Sequence, residues 1–441
     1  MSIRAEIKPI LALAFPIMLS QVGHFTTGLI DTVVAGWDSP ATLSGVGAGS
    51  SLFQMLLVVG IGVLLGLDTT VAQSEGQKRR QDGLAYLKAG LLMSLVVTVL
   101  GMASLMVMST YYHLSGAHPE VVAATRPYLD VVVWSLGPVM VFSALQRYWQ
   151  ARGVASIITW IMVLTNLVNL VLDILLVKGF WIIPPMGAEG IALATLLTRT
   201  VSMLVLVVWT IRRFKTEAVQ GFWRWPGSDY LKRLCGLGIP SGMQVFLEVG
   251  AFTIATQMVA SLGHTVLGAH HIVLTACSFT FMFCLGLSGA TAAHIGQLFG
   301  ASRGLACWHS GWLTMALSVI MMGASSLVFI AIPEVIFGWF SQDVDILSLA
   351  TGMAMLCAMF QVFDGIQIVI TGALRGIGNT LGPLLTNLAS HYLVGLPLGF
   401  YMAFYAGEGL WGIWLGLAVG LIVTSLLNLW LWIRAKPKFV L

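Results

Sequence analysis

Apolar residues occur along this chain in long runs, which short polar loops separate. A membrane-spanning helix needs about 20 predominantly apolar residues. The runs are uniformly apolar, whereas the strands of a membrane β-barrel alternate apolar and polar residues. The pattern therefore predicts an all-α integral membrane protein with twelve transmembrane helices, near 9–37, 46–71, 88–112, 126–149, 155–178, 188–211, 235–261, 267–297, 307–332, 347–373, 381–404 and 410–433.

The first two predicted helices recur 224 positions later in the chain. Pro16 then matches Pro240, and Gln73 matches Gln297. The sequence LTNL likewise stands at 164–167 and again at 385–388. An internal repeat in a strongly apolar chain is typical of secondary transporters.

The longest polar break lies between the sixth and seventh predicted helices. We therefore predict an N-terminal six-helix bundle at 1–211, a cytoplasmic linker at 212–233 and a C-terminal six-helix bundle at 234–441. Each half has an even number of helices, so both halves have the same orientation in the membrane. The two bundles are then expected to be related by a pseudo-two-fold axis along the membrane normal.

The composition excludes an ordinary soluble protein. Hydrophobic residues make up 58% of the chain, charged residues make up 9%, and the mean hydropathy is +0.90. A soluble chain carries roughly a quarter charged residues. The net charge of +4 comes from basic residues scattered among short loops, so no nucleic-acid partner is expected.

The charges of the loops predict an orientation. Loops on one side are basic, and they include Lys78, Arg147, Arg213, Arg303 and Arg375. Loops on the other side are mainly acidic, with Glu120, Glu334, Asp343, Asp345 and Glu408. By the positive-inside rule, both termini are expected in the cytoplasm, with the chain crossing the cell's inner (plasma) membrane.

Two carboxylates are predicted to meet inside the N-terminal bundle. Burying a charge in a span costs about 2.5–3.5 kcal/mol on insertion scales, so each needs a reason. Asp31 and Asp173 each lie roughly 9 Å below the outer end of their helices, at about 1.5 Å per residue. Asn169 shares a helix face with Asp173, and Thr195 offers a hydroxyl at a similar height. These oxygen groups suit a proton shared by two carboxyls, or a small cation such as Na⁺.

A second acidic pair, Glu248 and Asp364, is predicted deeper inside the C-terminal bundle, where it can also hold Na⁺ or a proton. Gln361 and Gln367 add polar groups near Asp364. These two glutamines and Gln21 are candidates for the lining of a substrate cleft.

The repeat duplicates the scaffold and does not duplicate the charges. Glu248 corresponds to His24, and Asp31 corresponds to Ala255. Structural packing would more naturally be kept in both copies, so we favour ion binding. Arg199 needs a partner or a water-filled cavity, and the sequence favours neither. Asp68, near a helix end, is expected to be interfacial.

Segments from most of the predicted helices match one known pattern. They are PIMLSQ and LIDTVVAG in the first helix, VAQSEG after the second, GAEGIALAT at the sixth, FLEVGAF in the seventh, LGAHHIVL at the eighth and FDGIQIVITGALRGIGNT around the tenth. Together they resemble the multidrug and toxic compound extrusion (MATE) family, in its NorM-like and DinF-like branches. His271 departs from the pattern, because relatives usually carry Gln there.

The resemblance implies roles for the interior polar residues. Asp31 matches the aspartate of the first helix that members use for cation or proton coupling, and Asn169, Asp173 and Thr195 resemble the polar set around it. Glu248 and Asp364 resemble the acidic residues of the cation site in the NorM-like branch. The C-terminal pair resembles sodium-coupled members, and the N-terminal pair also suits proton-coupled, DinF-like ones.

The expected function is secondary active multidrug efflux. The chain would export organic, cationic and amphipathic compounds in exchange for Na⁺ or H⁺, as a monomer in the lipid bilayer without a cofactor. One alternative is a lipid-linked oligosaccharide flippase, which would favour a strongly cationic cleft and additional helices. An intramembrane enzyme is not expected, because the chain has no HExxH, GxSxG or comparable set.

Overall fold

The computed structural model describes residues 3–115, 119–179, 184–217, 225 and 227–436, and this part of the chain is helical with short connections. Eleven helical segments within it are long and apolar enough to cross a membrane: Ile7–Asp38, Pro40–Gly76, Arg80–Tyr111, Pro119–Ala151, Ser156–Lys178, Gly187–Thr216, Ser228–Ala260, His264–Gly300, Gly304–Ala331, Ala354–Gly376 and Gly409–Arg434. A twelfth runs from 381 to 405, just before the last of these. We number the twelve segments spans 1 to 12 in chain order.

Several spans are built from more than one helix. Span 2 consists of Pro40–Leu64 and Gly66–Gly76, and span 4 consists of Pro119–Val132, the 3₁₀ turn Val133–Ser135 and Leu136–Ala151. Span 1 continues the helix that begins at Ile3. Short elements between spans are Tyr112–Ser115, Pro333–Gly338 and Val344–Gly352.

Span 2 begins where the sequence satisfies the helix N-terminus. The Ser39 hydroxyl accepts a hydrogen bond from the backbone N–H of Thr42, at 3.1 Å. Pro40 follows at the first helical position, where a backbone N–H has no partner within the helix. This capping explains why only Ser39 separates the end of span 1 from the start of span 2.

Span 11 is helical but irregular. It consists of Leu381–Leu388, the wider π-helical stretch Ala389–Gly395, Leu396–Phe400 and a second π-helical stretch, Tyr401–Tyr405. The first wide stretch ends just before Pro397, whose ring clashes with the carbonyl oxygen four residues earlier in a regular α-helix. Wider turns relieve that clash.

The described chain forms two compact units. The N-terminal unit comprises Leu19–Val71 and Arg79–Gly242, and the C-terminal unit comprises Met1–Met18, Ala72–Lys78 and Met243–Leu441. Of the predicted linker 212–233, residues 218–224 and 226 lie outside the described residues. Its two ends belong to spans 6 and 7.

Buried tryptophans anchor both units. In the N-terminal unit, Trp149 is fully buried, and its indole N–H donates to the hydroxyl of Thr210 at 3.0 Å. In the C-terminal unit, the fully buried Trp414 donates to Nδ1 of His270 at 3.0 Å and packs edge-on against Phe360. Each indole therefore buries a large apolar surface and keeps its one donor satisfied.

A contact in the C-terminal unit relates the two copies of the repeat. Gly76 lies against the backbone carbonyl of Gln297, and Gly300 lies against the backbone carbonyl of Gln73. A Cβ atom fits at neither glycine. Gly76 and Gly300 are repeat equivalents, as are Gln73 and Gln297, so the contact is reciprocal.

Candidate cation sites in the two units

The N-terminal unit brings together all four polar side chains predicted for its site. Asp31 comes from span 1, Asn169 and Asp173 from span 5, and Thr195 from span 6. They are 6%, 0%, 0% and 1% exposed, respectively. Two carboxylates are therefore buried together inside a membrane-spanning unit.

Hydrogen bonds hold this cluster in place. Oγ1 of Thr195 donates to Oδ2 of Asp31 at 3.2 Å, and Nδ2 of Asn169 donates to Oδ1 of Asp173 at 3.5 Å. The side chains of Asp31 and Asp173 lie close enough to hydrogen-bond to each other once one of them carries a proton. The geometry thus allows the two carboxyls to share one proton.

Three buried oxygens of the cluster have no hydrogen-bond donor in the described structure: Oδ1 of Asp31, Oδ1 of Asn169 and Oδ2 of Asp173. Buried polar atoms are normally paired, so this concentration needs an explanation. Two carboxylates and one amide are hard oxygen ligands, which fit a small alkali cation or a proton. Among the described residues, no group of three or more His, Cys, Asp or Glu side chains is placed to hold a metal ion.

Arg199 of span 6 lies near this cluster. Its Nη1 donates to Oγ of Ser135 at 2.8 Å, and its guanidinium lies 4.8 Å from the ring centre of Phe53. It also interacts electrostatically with Asp31 and Tyr128. The sequence did not show what Arg199 interacts with. In the structure its guanidinium contacts a hydroxyl and an aromatic ring, and a carboxylate lies nearby.

The C-terminal unit places Glu248 and Asp364 around one amide. Nε2 of Gln367 donates to Oε1 of Glu248 at 2.9 Å and to Oδ1 of Asp364 at 3.4 Å. Nδ2 of Asn387 donates to Oε2 of Glu248, also at 3.4 Å. Oε1 of Gln367 and Oδ1 of Asn387 are buried and have no donor in the described structure. This second cluster again offers hard oxygen ligands for a cation.

The other cleft candidates lie elsewhere. Oε1 of Gln361 accepts hydrogen bonds from the hydroxyls of Thr280 and Ser325, both at 2.8 Å, and so belongs to a polar group between spans 8, 9 and 10. Gln21 is a partly exposed residue of span 1. Neither glutamine is hydrogen-bonded to an acidic cluster in the described structure, whereas Gln367 is part of one.

Asn387 is a site residue that the sequence reasoning missed. It is the asparagine of the second LTNL copy, so the repeat did mark the position. In the first copy, Nδ2 of Asn166 donates to the backbone carbonyl of Gly23 at 3.0 Å. The same asparagine therefore joins equivalent spans in both units, and it meets a carboxylate in only one.

Asp68, which the sequence places near the end of a span, is buried inside the N-terminal unit. It is 2% exposed, and its Oδ2 lies 3.2 Å from Nη1 of Arg147 in a buried ion pair between spans 2 and 4. A position near a span end does not fix exposure, because the ends of neighbouring spans cover it.

Known proteins match both the sequence and the fold. A family model described as MatE matches residues 16–175 and 240–401, more than half of the chain. The "Probable multidrug resistance protein NorM" of Pseudomonas aeruginosa is 30% identical over 446 residues, with 98% of this chain and 91% of the relative covered. A eukaryotic MATE transporter, AtDTX14, has a TM-score of 0.87 at 19% identity, and 98% of each chain is covered. A MOP superfamily transporter from Pyrococcus furiosus, described by the reverse polarity of its binding pocket, has a TM-score of 0.91 at 18% identity and covers 99% of this chain and 97% of its own.

The described spans, the family model and the relative from Pseudomonas aeruginosa define a multi-pass membrane transport protein. The chain belongs to the MATE family of transporters, whose model covers most of both halves. The predictions of family and of a twelve-helix, all-α fold are confirmed.

Proposed function

We propose that this protein is a multidrug efflux antiporter, which exports organic, cationic and amphipathic compounds in exchange for Na⁺ or H⁺. The observation that carries the proposal is the presence of an acidic cluster inside each unit, with buried oxygens beside the carboxylates that lack a donor in the described structure. The multidrug resistance name of the relative from Pseudomonas aeruginosa supports the substrate class. A flippase for anionic lipid-linked sugars would call for basic groups, so acidic clusters favour cation exchange.

The proposed cycle couples the clusters to the direction of transport. A proton or Na⁺ arriving from outside binds a carboxylate pair and neutralises buried charge, which changes the preferred packing of the spans. If ion binding weakens substrate binding, the substrate weakens ion binding by the same factor, because coupling free energies are reciprocal. The inward ion gradient then expels the substrate.

The proposed setting is a monomer in the cell's inner membrane, with both termini in the cytoplasm and no cofactor. Basic residues in the loops between spans 2 and 3, 4 and 5, and 8 and 9 support this orientation, since positive residues favour the cytoplasmic side: Lys78, Arg79, Arg152 and Arg303.

Expression in a pump-deficient bacterial host tests the proposed function. The parent chain should raise the concentration of a cationic dye such as ethidium that the cells tolerate, and Glu248→Gln should abolish the gain. Glu334→Gln is the matched control, because Glu334 is an exposed carboxylate in the connection between spans 9 and 10. A parent chain that gives no gain for any organic cation contradicts the proposal.

A further inference from the structure

Arg199 is a cation in the interior of span 6, and a charged residue in a span needs a functional or structural reason. None of the ion pairs among the described residues involves it. Instead, its guanidinium contacts the hydroxyl of Ser135 and the ring of Phe53. It is therefore fixed in place without being directly bound to a carboxylate.

Span 4 is shaped to provide one of these contacts. Ser135 ends the 3₁₀ turn Val133–Ser135, which interrupts the two α-helices of the span. Its hydroxyl donates to the backbone carbonyl of Val132 at 2.7 Å, so its oxygen is free to accept from Arg199. A hydrogen bond and a cation–π contact together orient the guanidinium.

The fixed charge lies beside the N-terminal acidic cluster. Arg199 lies one helical turn after Thr195, on the same face of span 6, and the hydroxyl of Thr195 donates a hydrogen bond to Asp31. Among the described residues, the titratable groups that interact electrostatically with Arg199 are Asp31, Tyr128 and His24. Arg199 thus offsets one of the two negative charges that ionised Asp31 and Asp173 carry.

Among the described residues, no basic side chain interacts electrostatically with the C-terminal cluster. Glu248 and Asp364 are joined by the neutral amides of Gln367 and Asn387. None of the ion pairs among the described residues includes either carboxylate. When ionised, the two clusters therefore differ by one unit of net charge.

We propose that Arg199 is a built-in counter-cation of the Asp31–Asp173 cluster, which weakens its hold on the coupling ion and makes the two acidic clusters unequal. A unit charge at about 10 Å, in an effective dielectric constant of about 20, changes cation affinity roughly tenfold. This inference rests on the proposed ion coupling. An ion that drives transport must bind on one side of the membrane and leave on the other, and a permanent positive charge beside the cluster speeds the release of the ion.

Na⁺ binding to purified protein tests this directly, without transport. The background is Glu248→Gln with Asp364→Asn, which leaves the N-terminal cluster as the acidic site, and the probe is radioactive Na⁺ alone at one fixed pH. In this background, Arg199→Gln should bind Na⁺ roughly tenfold more tightly. Arg199→Lys should restore the weaker binding, because it restores the charge. Adding Asp31→Asn to Arg199→Gln should abolish the gain.

Arg126→Gln is the matched control, since it also removes a positive charge from the N-terminal unit, but at a side chain that is 66% exposed. If Arg199→Gln does not fold, Arg199→Met keeps the packing on Phe53 and removes the same charge. Equal or weaker Na⁺ binding in a folded Arg199 variant overturns the inference. A parent protein without ion-driven export contradicts the proposed function instead, and the binding result stands separately.

Discussion

Nδ2 of Asn387 donates to Oε2 of Glu248 at 3.4 Å, whereas the equivalent Asn166 donates to the backbone carbonyl of Gly23 at 3.0 Å. The duplicated asparagine therefore joins two spans in each unit, but its hydrogen-bond acceptor is a carboxylate in one unit and a backbone carbonyl in the other. In the N-terminal unit it packs helices together. In the C-terminal unit it also touches the acidic pair.

Asn387→Ala should lower the apparent affinity of transport for the coupling ion, and Asn166→Ala should leave it unchanged. Oδ1 of Asn387 is a buried oxygen without a donor in the described structure, so the substitution removes a hard oxygen ligand for Na⁺ and should weaken the apparent Na⁺ affinity roughly tenfold. The measurement is the ion concentration that gives half-maximal transport in proteoliposomes. Equal effects of the two substitutions would show that Asn387 only packs spans together.

Thr195→Val should weaken Na⁺ binding at the N-terminal cluster by a similar factor, because it removes a hydroxyl oxygen that lies 3.2 Å from Oδ2 of Asp31 and can serve as a ligand. Thr195→Ser keeps the hydroxyl and should behave like the parent. Thr198→Val is the control on the same helix, since within the described structure the Thr198 hydroxyl donates to the backbone carbonyls of Ala194 and Thr195 in its own span. An unchanged ion affinity in Thr195→Val would remove Thr195 from the site.

How far the sequence predicts these sites depends on which contacts helix periodicity determines. Asn169 and Asp173 share a face of one helix, so their pairing follows from spacing. Gln361 and Gln367 flank Asp364 at three residues on either side, and spacing does not show which of them turns toward Glu248. That choice depends on how span 10 is rotated against its neighbours. The structure selects Gln367 and gives Gln361 to Thr280 and Ser325.

The sequence also does not predict the contacts between the ends of neighbouring spans. Asp68 was expected at the interface, and only the packing of spans 2 and 4 reveals Arg147 beside it. The sequence also does not predict the π-helical stretches of span 11, because an apolar run predicts the length of a helix and not the number of residues per turn. Periodicity thus predicts which residues share a helix face, and tertiary packing decides which faces meet.

Asp68→Asn should destabilise the protein by about 3–5 kcal/mol, because it leaves the Arg147 guanidinium buried without its carboxylate. Unfolding of the purified protein in detergent, followed by circular dichroism, measures the loss. Asp130→Asn is the comparison: Asp130 lies 3.9 Å from Arg126 in an exposed pair, which is worth less than about 1 kcal/mol. Similar losses for both substitutions would contradict the buried ion pair.

Gly76→Val should lower stability by about 1–3 kcal/mol through overpacking, since no side chain fits between Gly76 and the Gln297 carbonyl. Gly300→Val should have a similar effect, because the contact is reciprocal. Gly47→Ala provides the baseline, as its Cβ would meet nothing within 4 Å. Apparent melting temperatures report all three, and a Gly76→Val protein as stable as the parent would refute the close contact.

The central claim is that the two acidic clusters couple ion movement to export. It is tested most directly by dye transport in proteoliposomes under a Na⁺ gradient alone and a proton gradient alone, for the parent, Asp31→Asn, Asp364→Asn and the exposed control Asp345→Asn. The account predicts that the parent and the control export dye under at least one gradient, and that Asp31→Asn and Asp364→Asn each lose that response. If both cluster variants transport dye as the parent does, the carboxylates are not the coupling sites and the account is wrong.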